Sequence, residues 1–420
     1  MKNIKHLSIG KNIIFLYLIT ISQILLPLLT FPYLTRVLEP SFYGVVVYTT
    51  SVIMYVQIFV DFGFISSSTK KITESIYNIS KINKIVSETI IAKIFLFIIA
   101  VLLVSISSYF INIIRENFVL IILYLLTTFV TIFIPDFLFH GLQKMSKLSP
   151  IVVLSKSIST MLVFILVKNS GDIYWIPFVN LIGALISNLL VWRFLKKINI
   201  RFFKVKLSDV LSEIKNSMPY FLASFATLAY GVTNTIVLGI LNFQEIYIAY
   251  WGIGFNLISS AQSLYSPLVS GLYPRMIETK DLGLIRNVLL LFMPLIVITV
   301  LIVYYFSEEI IILLSGYEYI EATIVFRLLL PLLVLSFPVL IIGLPVMGVV
   351  GKVKEIMTTT IIAAVFHVMC IIVLIRFDTL SLTNLAILRC STESVLLITR
   401  VYYIRNFIRP IIKGISIKVE

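Results

Sequence analysis

Membrane-length apolar runs recur along almost the whole chain and constrain its fold more than any other feature. They lie near residues 12–35, 42–63, 88–111, 118–140, 150–168 and 174–195, and again near 217–241, 246–272, 286–306, 325–347, 355–376 and 381–404. In hydrocarbon every backbone N–H and C=O needs an internal partner, and an α-helix of about 20 apolar residues provides one across the bilayer core. The pattern predicts an all-α polytopic membrane protein with twelve transmembrane helices. A chain of 420 residues that is 59% apolar and 13% charged leaves no room for a soluble fold, because soluble domains hold roughly 45–50% apolar residues. Its two cysteines, Cys370 and Cys390, both lie inside apolar runs, so no disulfide framework is read from them.

The runs form two sets of six. They divide the chain into a first six-helix lobe at 1–200, a basic cytoplasmic linker at 201–216, and a second six-helix lobe at 217–420 with a short cytoplasmic tail. The net charge of +14 is spread unevenly. With the N-terminus in the cytoplasm, the inside segments collect Lys2, Lys5, Lys11, Lys70, Lys71, Lys81, Lys84, Lys144, Lys147, Lys352 and Lys354, whereas the outside segments hold Arg36, Arg115, Lys168 and Arg376. This positive-inside pattern predicts that both termini are cytoplasmic. The central run of Arg193, Lys196, Lys197, Arg201, Lys204, Lys206 and Lys215 reads as orientation plus attraction to anionic membrane lipids, roughly 1 kcal/mol per residue, and not as a nucleic-acid site. The apolar stretch after the basic N-terminus is too long for a signal-peptide core, so a retained first span is expected.

Motifs of catalysis are missing. The closest approach to a nucleotide-binding loop, Gly348 to Val353, is too short between its glycines and lacks the hydroxyl residue for Mg²⁺. His6, His140 and His367 are scattered and form no metal-ligand or nucleophile pattern. The longest outside loop, near 307–324, is short and acidic, which disfavours a membrane enzyme working on an external substrate. A channel, a transporter or a scaffold remains. Two equal halves favour a transporter, as do prolines in or at the ends of spans, among them Pro27, Pro32, Pro135, Pro219, Pro267, Pro294, Pro331, Pro338 and Pro345. Proline is also common in membrane helices without any such role.

Ionisable residues inside spans are functional candidates by default, because each is costly unless paired or hydrated. Lys93, Lys156, Asp61 and Asp136 fall at a similar depth near the cytoplasmic ends of spans in the first half. They form either a headgroup port or a ring of structural ion pairs with snorkelling tails. Arg389 and Glu393 lie deeper, and their i,i+4 spacing puts them on one helix face. They are either a self-neutralising pair or a bistable site at which the arginine exchanges the carboxylate for a substrate anion. Arg36 and Arg327 fall near the outer surface.

The segment Leu29-Thr-Phe-Pro-Tyr-Leu-Thr-Arg-Val-Leu38, followed by Val60-Asp-Phe-Gly-Phe64 and Lys70-Lys71-Ile72, resembles the opening of bacterial O-antigen (O-unit) flippases of the Wzx type, in the multidrug/oligosaccharidyl-lipid/polysaccharide exporter superfamily. Pro135-Asp-Phe-Leu-Phe-His-Gly-Leu-Gln-Lys-Met145, Leu272-Tyr-Pro-Arg275, Gly316-Tyr-Glu318 and the Pro345 to Lys352 turn extend the resemblance in order along the chain. Where that family often shows Trp after the span-four proline, this chain has Asp136-Phe137.

The resemblance implies a MATE-like, V-shaped bundle of two six-helix lobes in the bacterial inner membrane. It implies a flippase that moves undecaprenyl-diphosphate-linked O-antigen repeat units from the cytoplasmic to the periplasmic leaflet for lipopolysaccharide biosynthesis. Alternating access would be driven by H⁺, Na⁺ or the membrane potential, with no cofactor, and the polysaccharide polymerase and chain-length machinery would be partners. By position, Arg36, Lys70, Lys93, Lys156, Arg327 and Arg389 are candidates for substrate contact, and Asp61, Asp136 and Glu393 for coupling. An inside-negative potential favours outward movement of an anionic headgroup by roughly 2.3 kcal/mol per charge at 100 mV. The alternatives are a MATE-like drug/cation antiporter, which needs an acidic cavity, and a membrane O-antigen polymerase, which needs a larger, basic outside loop.

Overall fold

The computed structural model describes residues 19, 21, 22 and 25–412, with side chains as far as Arg405. The described residues are helical with short turns and hold no β-strand, as the apolar runs require. In chain order the helices are α1 Leu25–Val37, α2 Pro40–Asp61, α3 Phe64–Glu74, α4 Ile79–Phe110, α5 Asn112–Glu116, α6 Phe118–Ile132, α7 Asp136–Gly141, α8 Met145–Leu166, α9 Trp175–Lys197, α10 Leu207–Gly231, α11 Thr233–Ile240, α12 Glu245–Ser263, α13 Tyr265–Thr279, α14 Leu282–Tyr305, α15 Ser307–Ser315, α16 Ala322–Leu329, α17 Pro331–Ile341, α18 Val353–Arg376 and α19 Leu382–Ile412. A π-helical segment, Ile342–Gly348, continues α17.

Eight of the described helical segments are long and apolar enough to cross a membrane, or nine when α10 and α11, bent by 59° at their junction, count as one broken span. The protein is therefore an integral, multi-pass membrane protein. The twelve expected spans are not all matched. The first, at 12–35, is described in its second half, where α1 is shorter than a span; most of its first half and the basic N-terminus lie outside the described residues. The eighth is split into α12 and α13, and the twelfth, α19, carries Arg389 and Glu393 in its middle, which lower its apolar character.

The chain divides into two compact units: unit 1, Met1–Phe225 with Ile236–Glu245, and unit 2, Ala226–Thr235 with Ile246–Glu420. In unit 1, α9 packs on α6 and α8, while α4 packs on α2, α3 and α6. In unit 2, α19 packs on α16, α17 and α18.

The breaks follow from local chemistry. Phe62 and Gly63, at φ 42° and 73°, turn the chain between α2 and α3. A Cβ on Gly63 would come 2.5 Å from Cβ of Tyr220, so the turn needs glycine for space as well as for its left-handed backbone. After α6, Pro135 has no N–H to continue the helix. α9 supplies donors at that end: Asn188 Nδ2 donates to Val130 O at 3.1 Å, which also accepts the Phe133 N–H, and Trp192 Nε1 donates to Phe133 O at 2.8 Å. The Asp136 carboxylate then accepts the Phe137 N–H at 2.9 Å and starts α7. In unit 2, Pro345 deprives the carbonyl one turn earlier of its donor, and the helix winds wider there as the π segment.

Candidate functional site

The break at Pro135 sets Asp136 at the edge of a cavity of about 390 Å³ within unit 1. Its polar lining comes from four directions: Gln57 and Asp61 on α2, Lys93 on α4, Thr128 and Thr131 on α6, and Asp136 and His140 on α7. Ile65, Ile132, Met145 and Leu148 supply apolar wall. Lys93 is 3% exposed. Its Nζ donates to Asp61 Oδ1 at 2.8 Å and lies 5.9 Å from the ring centroid of Phe137, and Asp136 acts electrostatically on it as well. The ionisable groups of the lining are the amine of Lys93, the carboxyl groups of Asp61 and Asp136 and the imidazole of His140. A lysine set between two carboxyl groups can exchange its partner for a proton or a small cation.

Of the four charges expected at one depth, the structure gathers Asp61, Lys93 and Asp136. Lys156 is exposed on α8, one helical turn past the cavity residue Val152. Lys70 is exposed on α3 and Arg36 on α1. The neighbouring Lys71 pairs with the buried carboxylate of Glu213, which also accepts from Ser68 Oγ at 3.1 Å. That ion pair fastens the start of α10 to α3 within unit 1.

In unit 2, Arg327 is half-buried, its Nε on Ser307 Oγ at 2.5 Å and its guanidinium 5.6 Å from the Tyr304 ring. Arg389 and Glu393 are both buried and paired at 2.8 Å, with the guanidinium 5.0 Å over the Tyr230 ring. The i,i+4 geometry read from the sequence is thus present.

Three buried groups are not among the site candidates read from the sequence. His367 lies between Thr392 Oγ1, 2.7 Å from Nδ1, and Asn234 Oδ1, 3.0 Å from Nε2. Arg400 donates to the carbonyl of Val339 at 2.5 Å. Glu213 is 1% exposed. A polar residue inside an apolar run was the available signal for His367 and Arg400, but their partners lie on other helices. Among the described residues, no cluster of His, Cys, Asp or Glu has the arrangement of a metal site.

A family model described as "Polysaccharide biosynthesis protein" matches residues 9–280, well over half the chain. A protein of Escherichia coli (strain K12) named as a candidate O-antigen transporter is 26% identical over 69% of this chain and 70% of its own length. A protein of Shigella dysenteriae with the same name is 28% identical over 63% of this chain and 67% of its own. Among solved structures, the lipid II flippase MurJ in an inward closed conformation superposes with a TM-score of 0.72 at 13% identity, covering 96% of this chain and 90% of that one. An inward-facing multidrug resistance MATE family transporter of the MOP superfamily gives a TM-score of 0.68 at 14% identity, covering 93% and 99%. At these identities the likeness is one of fold, an all-helical membrane protein similar to MATE and MurJ transporters. Matched over most of its length and folded as these transporters are, the chain belongs to the family of polysaccharide biosynthesis proteins.

Proposed function

We propose that this protein is a flippase that carries undecaprenyl-diphosphate-linked O-antigen repeat units from the cytoplasmic to the periplasmic leaflet of the bacterial inner membrane. One observation carries the reading: a chain of the polysaccharide biosynthesis family places its interior charges on membrane helices, around a cavity in unit 1 and along α19 in unit 2. The names of its relatives and the likeness to MurJ support the same substrate class.

In this reading Asp136 and Asp61 hold the coupling ion, H⁺ or Na⁺. Lys93 is the tethered cation that competes for Asp61 when the ion is absent. Arg36, Lys70, Lys156, Arg327 and Arg389 meet the diphosphate or its sugars along the path, and Glu393 holds Arg389 when substrate is away. The membrane potential favours exit of the anionic headgroup, so the protein's task is to replace the water lost by a polar glycan.

Conditional depletion in the source bacterium tests the function. Loss of surface polysaccharide, with complete single repeat units accumulating on the cytoplasmic leaflet, is expected. Unchanged surface glycan would sink the reading. The two carboxyl groups of the unit 1 cavity favour a second reading, a MATE-like drug/cation antiporter. It predicts heightened sensitivity to cationic drugs and normal glycan in the same experiment.

A further inference from the structure

The segment that joins α9 to α10 is held in place without being a helix. Residues 200–206 lie between the two helices, and α4 bonds their backbone. Arg201 N donates to Asn83 Oδ1 at 3.2 Å, Phe203 N donates to Ser87 Oγ at 3.0 Å, and Asn83 Nδ2 donates to Asn199 O at 3.3 Å. Val205 packs on a buried apolar cluster that includes Phe64 and Val210. Orientation in the membrane needs only enough cations in a loop; it does not need the loop fixed to unit 1.

The fixed segment presents charge and aromatic surface together. Arg193, Lys196, Lys197, Arg201, Lys204 and Lys206 are all exposed, and none is ion-paired with a carboxylate among the described residues. The acids that follow in sequence, Asp209 and Glu213, are engaged by Lys84 and Lys71. Between Arg201 and Lys204, Phe202 and Phe203 are 52% and 46% exposed. A soluble polyanion would answer the cations and leave the two rings in water. At the end of a span, the boundary between lipid headgroups and acyl chains answers both. Phe202 has one more contact: its ring lies 5.1 Å from that of Trp192, whose Nε1 holds the Phe133 carbonyl just before Pro135 and Asp136.

We infer that the last turns of α9 and residues 201–206 form a docking surface for the acidic phospholipids of the adjoining leaflet, and that lipid seated there steadies the α6–α7 break through Phe202 and Trp192. The cations meet the phosphates and the phenylalanine rings enter the acyl boundary. Burying the free face of Phe202 restrains the Trp192 ring against which its other face lies, and with it the donor to the Phe133 carbonyl. The inference stands apart from the flippase reading, since it concerns the membrane around the protein and not the cargo.

The test is a thermal-unfolding titration of the purified full chain in detergent with phosphatidylglycerol, against phosphatidylcholine and against soluble polyglutamate as a lipid-free polyanion. Saturable stabilisation by phosphatidylglycerol beyond both controls is expected. Arg201→Gln, Lys204→Gln and Lys206→Gln together should raise the midpoint concentration at least about tenfold, whereas Lys2→Gln, Lys5→Gln and Lys11→Gln, which remove the same charge elsewhere, should leave it unchanged. Equal shifts in the two triple variants, or stabilisation no greater than with phosphatidylcholine, would overturn the surface. Polyglutamate matching phosphatidylglycerol would overturn lipid as the occupant. Should the linker variant fail to fold, the wild-type salt response decides, because stabilisation undiminished at about 0.5 M NaCl would overturn a surface built on exposed charge. At saturating phosphatidylglycerol, hydrogen exchange across 128–141 should slow in the wild type but not in Phe202→Ser. Equal slowing in both, or none in the wild type, would overturn the path to the α6–α7 break.

Discussion

Lys93 shows how a cation is kept inside an apolar helix. Its ammonium is nearly inaccessible and depends on Asp61, whose side chain is 42% exposed. Asp61→Asn therefore strands a buried charge, and a cost of about 1 to 3 kcal/mol is expected after allowing for the half-exposed partner. Thermal unfolding of Asp61→Asn, Lys93→Met and the double variant checks this. The double variant should be less destabilised than the two single effects added together, and strict additivity would show that the pair is not coupled. On α19 the exchange Arg389→Glu with Glu393→Arg separates two roles. A pair that merely neutralises itself should recover both protein level and surface glycan on swapping, whereas an arginine that meets substrate should recover the protein level alone. The i,i+4 spacing made this pair legible in the sequence. His367 was not legible, because its partners Thr392 and Asn234 are 25 and 133 residues away and on different helices.

Proline fixes where helices break, and other helices decide whether the break is tolerated. Pro135 was readable as a break, but the donors that satisfy the carbonyls before it, Asn188 and Trp192, could not be read, since nothing local in α9 marks them as caps. Trp192→Phe should leave the Phe133 carbonyl without its donor and cost about 1 to 3 kcal/mol. Hydrogen exchange across 128–141 should rise in that variant, and unchanged exchange would show that the bond does not hold Asp136 in place. Gly63→Ala combines a left-handed backbone with a collision on Tyr220. It should lower the unfolding temperature more than Gly231→Ala, where a Cβ meets nothing within 4 Å.

The helical membrane architecture of the described residues was legible in the sequence because backbone satisfaction in hydrocarbon leaves few choices. The number of clean spans was less legible. The described residues give eight or nine apolar spans, since α19 interrupts its apolar run with charge and the run at 246–272 bends at Leu264 into two helices. Orientation follows from the loops. With Cys370 and Cys390 replaced by alanine, Glu74→Cys should react with an impermeant maleimide from the cytoplasmic side and Glu116→Cys from the opposite side. Labelling on the same side would contradict the orientation read from the basic loops. Transport itself is best examined with the purified protein in liposomes that carry a fluorescent undecaprenyl-diphosphate-linked oligosaccharide in the inner leaflet, followed by an external quencher after an inside-negative potential is imposed. Faster exposure of the lipid than in protein-free liposomes, reduced by Lys93→Gln and Arg389→Gln, is the expected result; exposure no faster than the protein-free rate would contradict a flippase.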